Sequence, residues 1–173
     1  MEPSGTLPEQ RCPGLLILAV GNPSRGDDAL GPLFLERLAE LCEQRGEEDD
    51  IELLTDFQLQ IEHAVDLEGR ALALFVDASM SCPPPFEFTR LQPARDTSYT
   101  SHALSPAAVL HVYNQIYRCP PPPAFQLAIR GERFELGDLL SAAAEVHLMA
   151  ALSFAEQLLT MPRVERWQHL VEI

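Results

Sequence analysis

Residues 15–32 read LLILAVGNPSRGDDALGP, and the change from the apolar half of this stretch to its polar half decides the fold. Leu15 to Val20 are six apolar residues in succession, bounded by Pro13-Gly14 before and Gly21-Asn22-Pro23 after. A run without polar alternation, closed by turn residues at both ends, is the pattern of a strand buried on both faces of a parallel sheet. From Asp28 onward the pattern changes. Leu30, Leu33, Phe34, Leu38 and Leu41 recur at spacings of three and four, which gathers them on one face of a helix. Strand, loop, helix is the opening unit.

Beyond it the same unit repeats. The acidic stretch Glu47 to Asp50 reads as a solvated connection, and Ile51 to Leu54 as a second short strand ending at Thr55-Asp56. Ile61, Ala64, Val65 and Leu67 recur at helical spacing before Gly69, and Ala71 to Val76 forms a third apolar run that stops at Asp77. An order of β-α-β-α-β predicts a parallel sheet with helices on both faces. Residues 81–102, SCPPPFEFTRLQPARDTSYTSH, interrupt the alternation. Their prolines allow only an edge strand, through Phe86, Phe88 and Leu91. Ser105-Pro106 supplies an N-cap followed by proline at the first helical position, opening a helix to Tyr117 that Pro120 to Pro123 ends. Ala124 to Arg130 is a further strand, and Ser141 to Leu159 an Ala-rich amphipathic helix.

The expected fold is therefore α/β, a three-layer αβα sandwich around a mostly parallel, twisted, five-stranded sheet. The expected divisions are a flexible N-terminal segment over 1–13, a single α/β domain over 14–161, and a C-terminal tail over 162–173 to which no structure is assigned. A chain of 173 residues suits one domain and one substantial core.

Composition removes several function classes. The chain has 26 acidic residues against 12 basic ones, a net charge of −14, which argues against a nucleic-acid partner. All 12 cations are Arg, so chemistry that needs a lysine Schiff base or a lysine on a phosphate is excluded. The first fourteen residues lack the apolar segment of a secretory signal, and no apolar run approaches the ~20 residues of a membrane span. A cytoplasmic location with no membrane partner is the expectation. Cys12, Cys42, Cys82 and Cys119 form no CxxC pair and no zinc-finger spacing.

In a doubly wound sheet ligands bind beyond the carboxyl ends of the strands, so the loops after strands are where chemistry is sought. The loop GNPSRGDDALG has glycines at 21, 26 and 31, which fit neither a Walker loop nor GxGxxG, and it places Asp27 and Asp28 where a phosphate would need Lys. No nucleotide is expected. Two adjacent acids at a helix start point in different directions, so one can cap the helix while the other faces the crevice. Asp77, ending the third strand, adds a carboxylate from a second loop, and His102 precedes a helix in TSHALSP. Each has an ordinary structural alternative: a cap, a turn, an exposed or core histidine. If they converge, they make a mixed nitrogen and oxygen site suited to zinc or nickel.

The run LLILAVGNPSRGDDALGP, followed by FVDAS and later by TSHALSP, resembles the maturation endopeptidases of nickel-iron hydrogenases. That family shares a strand followed by GN, a variable stretch, a D(D/E) pair and a closing glycine. GERFELGDLLS, residues 131–141, also looks like the family's later strand-to-helix segment. The resemblance implies that Asp28, Asp77 and His102 are the metal-binding set, with Asp28 or Asp77 as a general base if the metal serves only for recognition. Asn22, Asp27 and Gln58 fall in supporting or substrate-binding places, although for Gln58 and Gln60 plain solvent exposure is the alternative. Glu62, His63 and Asp66 are assigned no catalysis.

It further implies an endopeptidase that removes the C-terminal extension of the hydrogenase large-subunit precursor after nickel insertion, with nickel carried transiently by that substrate. A non-catalytic nickel-sensing chaperone of the large subunit is the alternative. The absence of GxSxG, and of a Cys in the matched motifs, argues against a serine or cysteine nucleophile. There are two departures from the family pattern. Many members carry Glu where this chain has Asp28, which sets the carboxylate back by about 1–1.5 Å. The glycine-rich loop after the second strand is replaced by TDFQLQIEHAVDLEG, which looks like the subgroup serving NAD-linked bidirectional hydrogenases.

Overall fold

A computed structural model describes residues 13–47, 50–96 and 104–172. Leu15–Val20 forms the first strand, β1, and all six of its side chains are buried. Successive side chains of a strand point to opposite faces, and these split cleanly. Leu15, Ile17 and Ala19 join one core, Leu16, Leu18 and Val20 the other. A strand clothed on both faces explains why its sequence shows no polar alternation.

The chain then makes a short 3-10 turn, Gly26–Ala29, and enters helix α1, Leu30–Arg45, which ends on the left-handed Gly46. Strand β2, Ile51–Asp56, is followed by α2, which is a single turn, His63–Asp66. The longer helix expected from Ile61 to Leu67 does not form. Left-handed Gly69 (φ 76°) ends the segment, and Arg70 Nε donates to the carbonyl of Asp66 at 2.9 Å, closing the turn at once.

Strand β3, Leu72–Ser79, runs parallel to β1, and β4, Phe86–Arg90, is the expected edge strand. Helix α3, Pro106–Tyr117, is capped as its sequence predicts, Ser105 Oγ accepting from the Ala108 amide at 3.1 Å. Strand β5, Ala124–Arg130, and helix α4, Ala142–Thr160, complete the alternation.

The five strands lie in the order β2-β1-β3-β5-β4, parallel except for β4, which pairs antiparallel with β5. Helices α1 and α4 cover one face, α2 and α3 the other, giving the expected three layers. One boundary is corrected. Residues 162–173, which their sequence presents as a tail, contain helix α5, Val164–Val171, and its Trp167 is fully buried. The indole packs edge-on against Phe125 and Phe88, and its Nε1 donates to the Leu158 carbonyl at 3.0 Å, so burial leaves no polar atom unpaired. No described helix is long and apolar enough to cross a membrane.

Candidate functional site

Because β2 and β3 flank β1, the chain leaves β1 toward one side and later returns on the other. The switch point of the sheet lies between β1 and β3. Both matched carboxylates stand there. Asp28 follows β1 and Asp77 lies near the end of β3.

The loop that carries Asp28 is folded tightly back on itself. Gly21 adopts φ 153° and its amide donates to the Asp56 carbonyl at 3.1 Å; a Cβ there would lie 2.0 Å from the Asp28 carbonyl oxygen. Only glycine fits. Asn22 turns the loop, its side-chain oxygen accepting from the Ser24 amide at 2.9 Å while its own amide donates to Asp28 Oδ2 at 2.8 Å. Asn22 thus acts on the site through its backbone, holding one carboxylate oxygen of Asp28 in place.

The two adjacent acids take opposite roles. Asp27 does not cap the helix that follows it. Its carboxylate turns inward, fully buried, and accepts from the amides of Glu132 (2.7 Å), Arg133 (3.0 Å) and Ser141 (2.7 Å) and from Ser141 Oγ (2.8 Å). Burial by itself would raise its pKa, but the bonds from Ser141, Glu132 and Arg133 outweigh burial and hold the carboxyl below its usual range. Asp27 therefore fastens the β5–α4 loop, residues 131–141, onto the loop after β1. Gly26 completes the contact: it sits at φ 55°, and a Cβ would come within 2.5 Å of the Arg133 carbonyl oxygen.

Asp28 and Asp77 face a cleft of about 420 Å³. Its other walls are Phe57, Gln58 and Leu59 from the loop after β2, Asp96, and the start of α3 from Leu104 to Pro106. Asp77 is held by a bond from the Ala78 amide to its Oδ1, at 2.8 Å. Burial pushes its pKa up to about 7, the Ala78 bond opposes this, and the neighbouring Asp28 adds repulsion. A carboxyl balanced near neutrality can hold or release a proton at working pH, the property of a general acid or base. Asp96 is a cleft residue that no sequence motif marks. It accepts from the Ser105 amide at 3.0 Å and from Ser105 Oγ, tying the chain before α3 to the helix cap. Three carboxylates and no cationic side chain line the cleft among the described residues.

Of the other expected residues, Gln58 is a cleft wall, whereas Gln60 is not, and its backbone N–H donates to His63 Nδ1 at 2.9 Å. His102 lies outside the described residues. Among the described residues no three His, Cys, Asp or Glu side chains group as a metal cage.

An acidic cleft at the switch point of a β2-β1-β3-β5-β4 sheet is carried here on a framework shared with solved structures of [NiFe] hydrogenase maturation proteases. HycI from Thermococcus kodakarensis KOD1 matches with a TM-score of 0.63 at 21% identity, over 86% of this chain and 93% of that one. The hydrogenase maturating endopeptidase HybD from E. coli matches with a TM-score of 0.63 at 22% identity, over 83% and 91%. The hydrogenase 2 maturation peptidase from Thaumarchaeota archaeon SCGC_AB-539-E09 gives 0.59 at 20% identity, over 84% and 97%. At these identities what is shared is the fold. Nothing in these likenesses supports the narrower NAD-linked subgroup. No protein-family model matches the chain, and no curated protein sequence does.

Proposed function

We propose that the chain is an endopeptidase that removes the C-terminal extension of a nickel-iron hydrogenase large-subunit precursor in the cytoplasm, once nickel has been inserted. The observation that carries this reading is the meeting of Asp28 and Asp77 in one cleft, on a fold shared along most of the chain with hydrogenase maturation proteases.

Nickel enters as part of the substrate. Two carboxylates that repel each other in a partly buried cleft favour an occupant that brings positive charge. A divalent ion presented by the precursor supplies that charge and removes the reason for Asp77 to keep its proton. An empty precursor offers no such compensation, so binding discriminates loaded from unloaded substrate. His102 is proposed as the nitrogen donor that completes the set. Asp28, fixed through the Asn22 amide, and Asp77, poised to exchange a proton, are the two groups proposed to act on water or on the scissile bond. Gln58 lies on the cleft wall, and its side chain is proposed to contact the substrate.

The test is a cleavage assay with nickel-loaded and nickel-free precursor, read by product mass. Loss of a C-terminal peptide from the loaded form alone is expected, together with loss of processing in Asp28→Asn and Asp77→Asn variants that still fold. Stable binding of the loaded precursor with no mass change would point to the chaperone reading instead.

A further inference from the structure

Half of the large apolar side chains that stand exposed among the described residues lie at one edge of the sheet. Phe57 (69% exposed) and Ile61 follow β2, Met80 follows β3, and Leu136 and Leu139 (87%) lie in the loop after β5. All of these segments leave carboxyl ends of parallel strands, the edge at which the cleft opens. Scattered apolar side chains on a surface are ordinary, but a set gathered around a cleft marks an interaction site.

The backbones that display them are already ordered. Asp56 Oδ1 accepts from the Phe57 amide at 2.7 Å, and Asp56 Oδ2 lies 3.3 Å from His63 Nε2, whose other ring nitrogen holds the Gln60 amide. Residues 131–141 are bound by Asp27, by the Gly137 amide on the Ser24 carbonyl (2.8 Å) and by the Gly26 amide on the Asp138 carbonyl (3.1 Å). Exposed apolar groups on a fixed backbone lose little freedom when covered, the condition under which such groups contribute most to association.

The occupant follows from the centre of this edge, where Asp28, Asp77 and Asp96 stand without a cationic partner among the described cleft walls. Of the five apolar side chains only Phe57 lines the cleft; Ile61, Met80, Leu136 and Leu139 stand outside it, so they face something larger than what enters the cleft. We infer that Phe57, Ile61, Met80, Leu136 and Leu139 form an apolar collar that docks a folded protein substrate while its positively charged or metal-bearing chain segment enters the acidic cleft. The inference rests on the proteolytic reading above and adds to it the surface that selects the substrate.

The test uses the full chain and the nickel-loaded precursor, with a Leu136→Ser/Leu139→Ser double variant and, independently, an Ile61→Ser/Met80→Ser double variant. None of these four residues lines the cleft, and all are exposed, so both variants keep the core. We expect KM to rise about tenfold or more with kcat within about twofold of the parent. Unchanged KM in both variants, with an active parent, overturns the collar and leaves the proteolytic reading standing. The collar is equally overturned if the parent is a dimer that either variant dissociates without affecting KM, since the edge is then a contact between copies. A parent that processes no loaded precursor overturns the proteolytic reading and the collar with it.

Discussion

Asp77 and Asp27 show how position alone gives one residue type opposite behaviour. Asp77 keeps its proton to about pH 7 in the folded chain, against about 4 when unfolded. Between those values the folded state binds more protons than the unfolded one, so this residue's contribution to stability declines as pH rises from about 4 to about 7. Asp77→Asn removes the penalty. The variant is expected to be more stable than the parent at pH 8, by up to about 4 kcal/mol, and close to it at pH 4, as urea unfolding at the two pH values will show. It is also expected to lose processing, so stability and activity move in opposite directions. Asp77 is legible in the sequence because it directly follows an apolar run, and Asp28 because it stands between such a run and a helix start, and the strand ends at a switch point are where ligands gather. Asp96 and Phe57 are not. Asp96 sits in a polar, proline-broken stretch without periodicity, and it is held at the cleft by bonds that Ser105, nine residues on, donates to its carboxylate.

At the scale of elements, the fastening of the 131–141 loop by Asp27 sets the geometry around the cleft. Its lowered pKa reverses the sign found for Asp77: its contribution is present at neutral pH and is lost as pH falls through the lowered value. Asp27→Ala leaves three backbone amides and the Ser141 hydroxyl without their acceptor, and is expected to cost about 3–5 kcal/mol at pH 7. The deficit should shrink as pH falls below the carboxyl's ordinary value of 3.8 and through its lowered one, which denaturant unfolding as a function of pH checks. The sequence shows the DD pair and lets one carboxylate face the crevice while the other caps the helix, but not that the second turns inward instead, nor which loop it holds. That partner lies more than a hundred residues away. Strands β1, β3 and β5 and helices α1, α3 and α4 are legible because periodicity and flanking turn or cap residues agree for each. Helix α2 falls short of its pattern because the chain has to turn back at Gly69 to reach β3.

For the molecule as a whole, the two faces of the sheet divide the work. The face under α1, α4 and α5 is the larger core, while the β1–β3 cleft opens beside the loop after β2 and the start of α3. Helix α5 is hard to read from sequence because eight residues with charged neighbours give a weak signal, although Val164, Trp167, Leu170 and Val171 stand at helical spacing. Its anchoring predicts that Trp167→Ala destabilises the whole fold by about 3–5 kcal/mol without altering the cleft. Circular dichroism melting together with processing at low temperature will separate the two effects.

Trp167 is also the one tryptophan in the chain, fully enclosed in the core against Phe88 and Phe125. The protein thus carries a single indole fluorophore, which can be excited apart from its three tyrosines, shielded from water and seated among the side chains that join α4, α5 and the sheet. Its emission will shift to longer wavelength when the C-terminal helix lifts or the core opens, and will stay still while the cleft fills. Tryptophan fluorescence is therefore a clock for folding and is blind to catalysis, so occupancy of the cleft has to be followed with a label carried by the substrate.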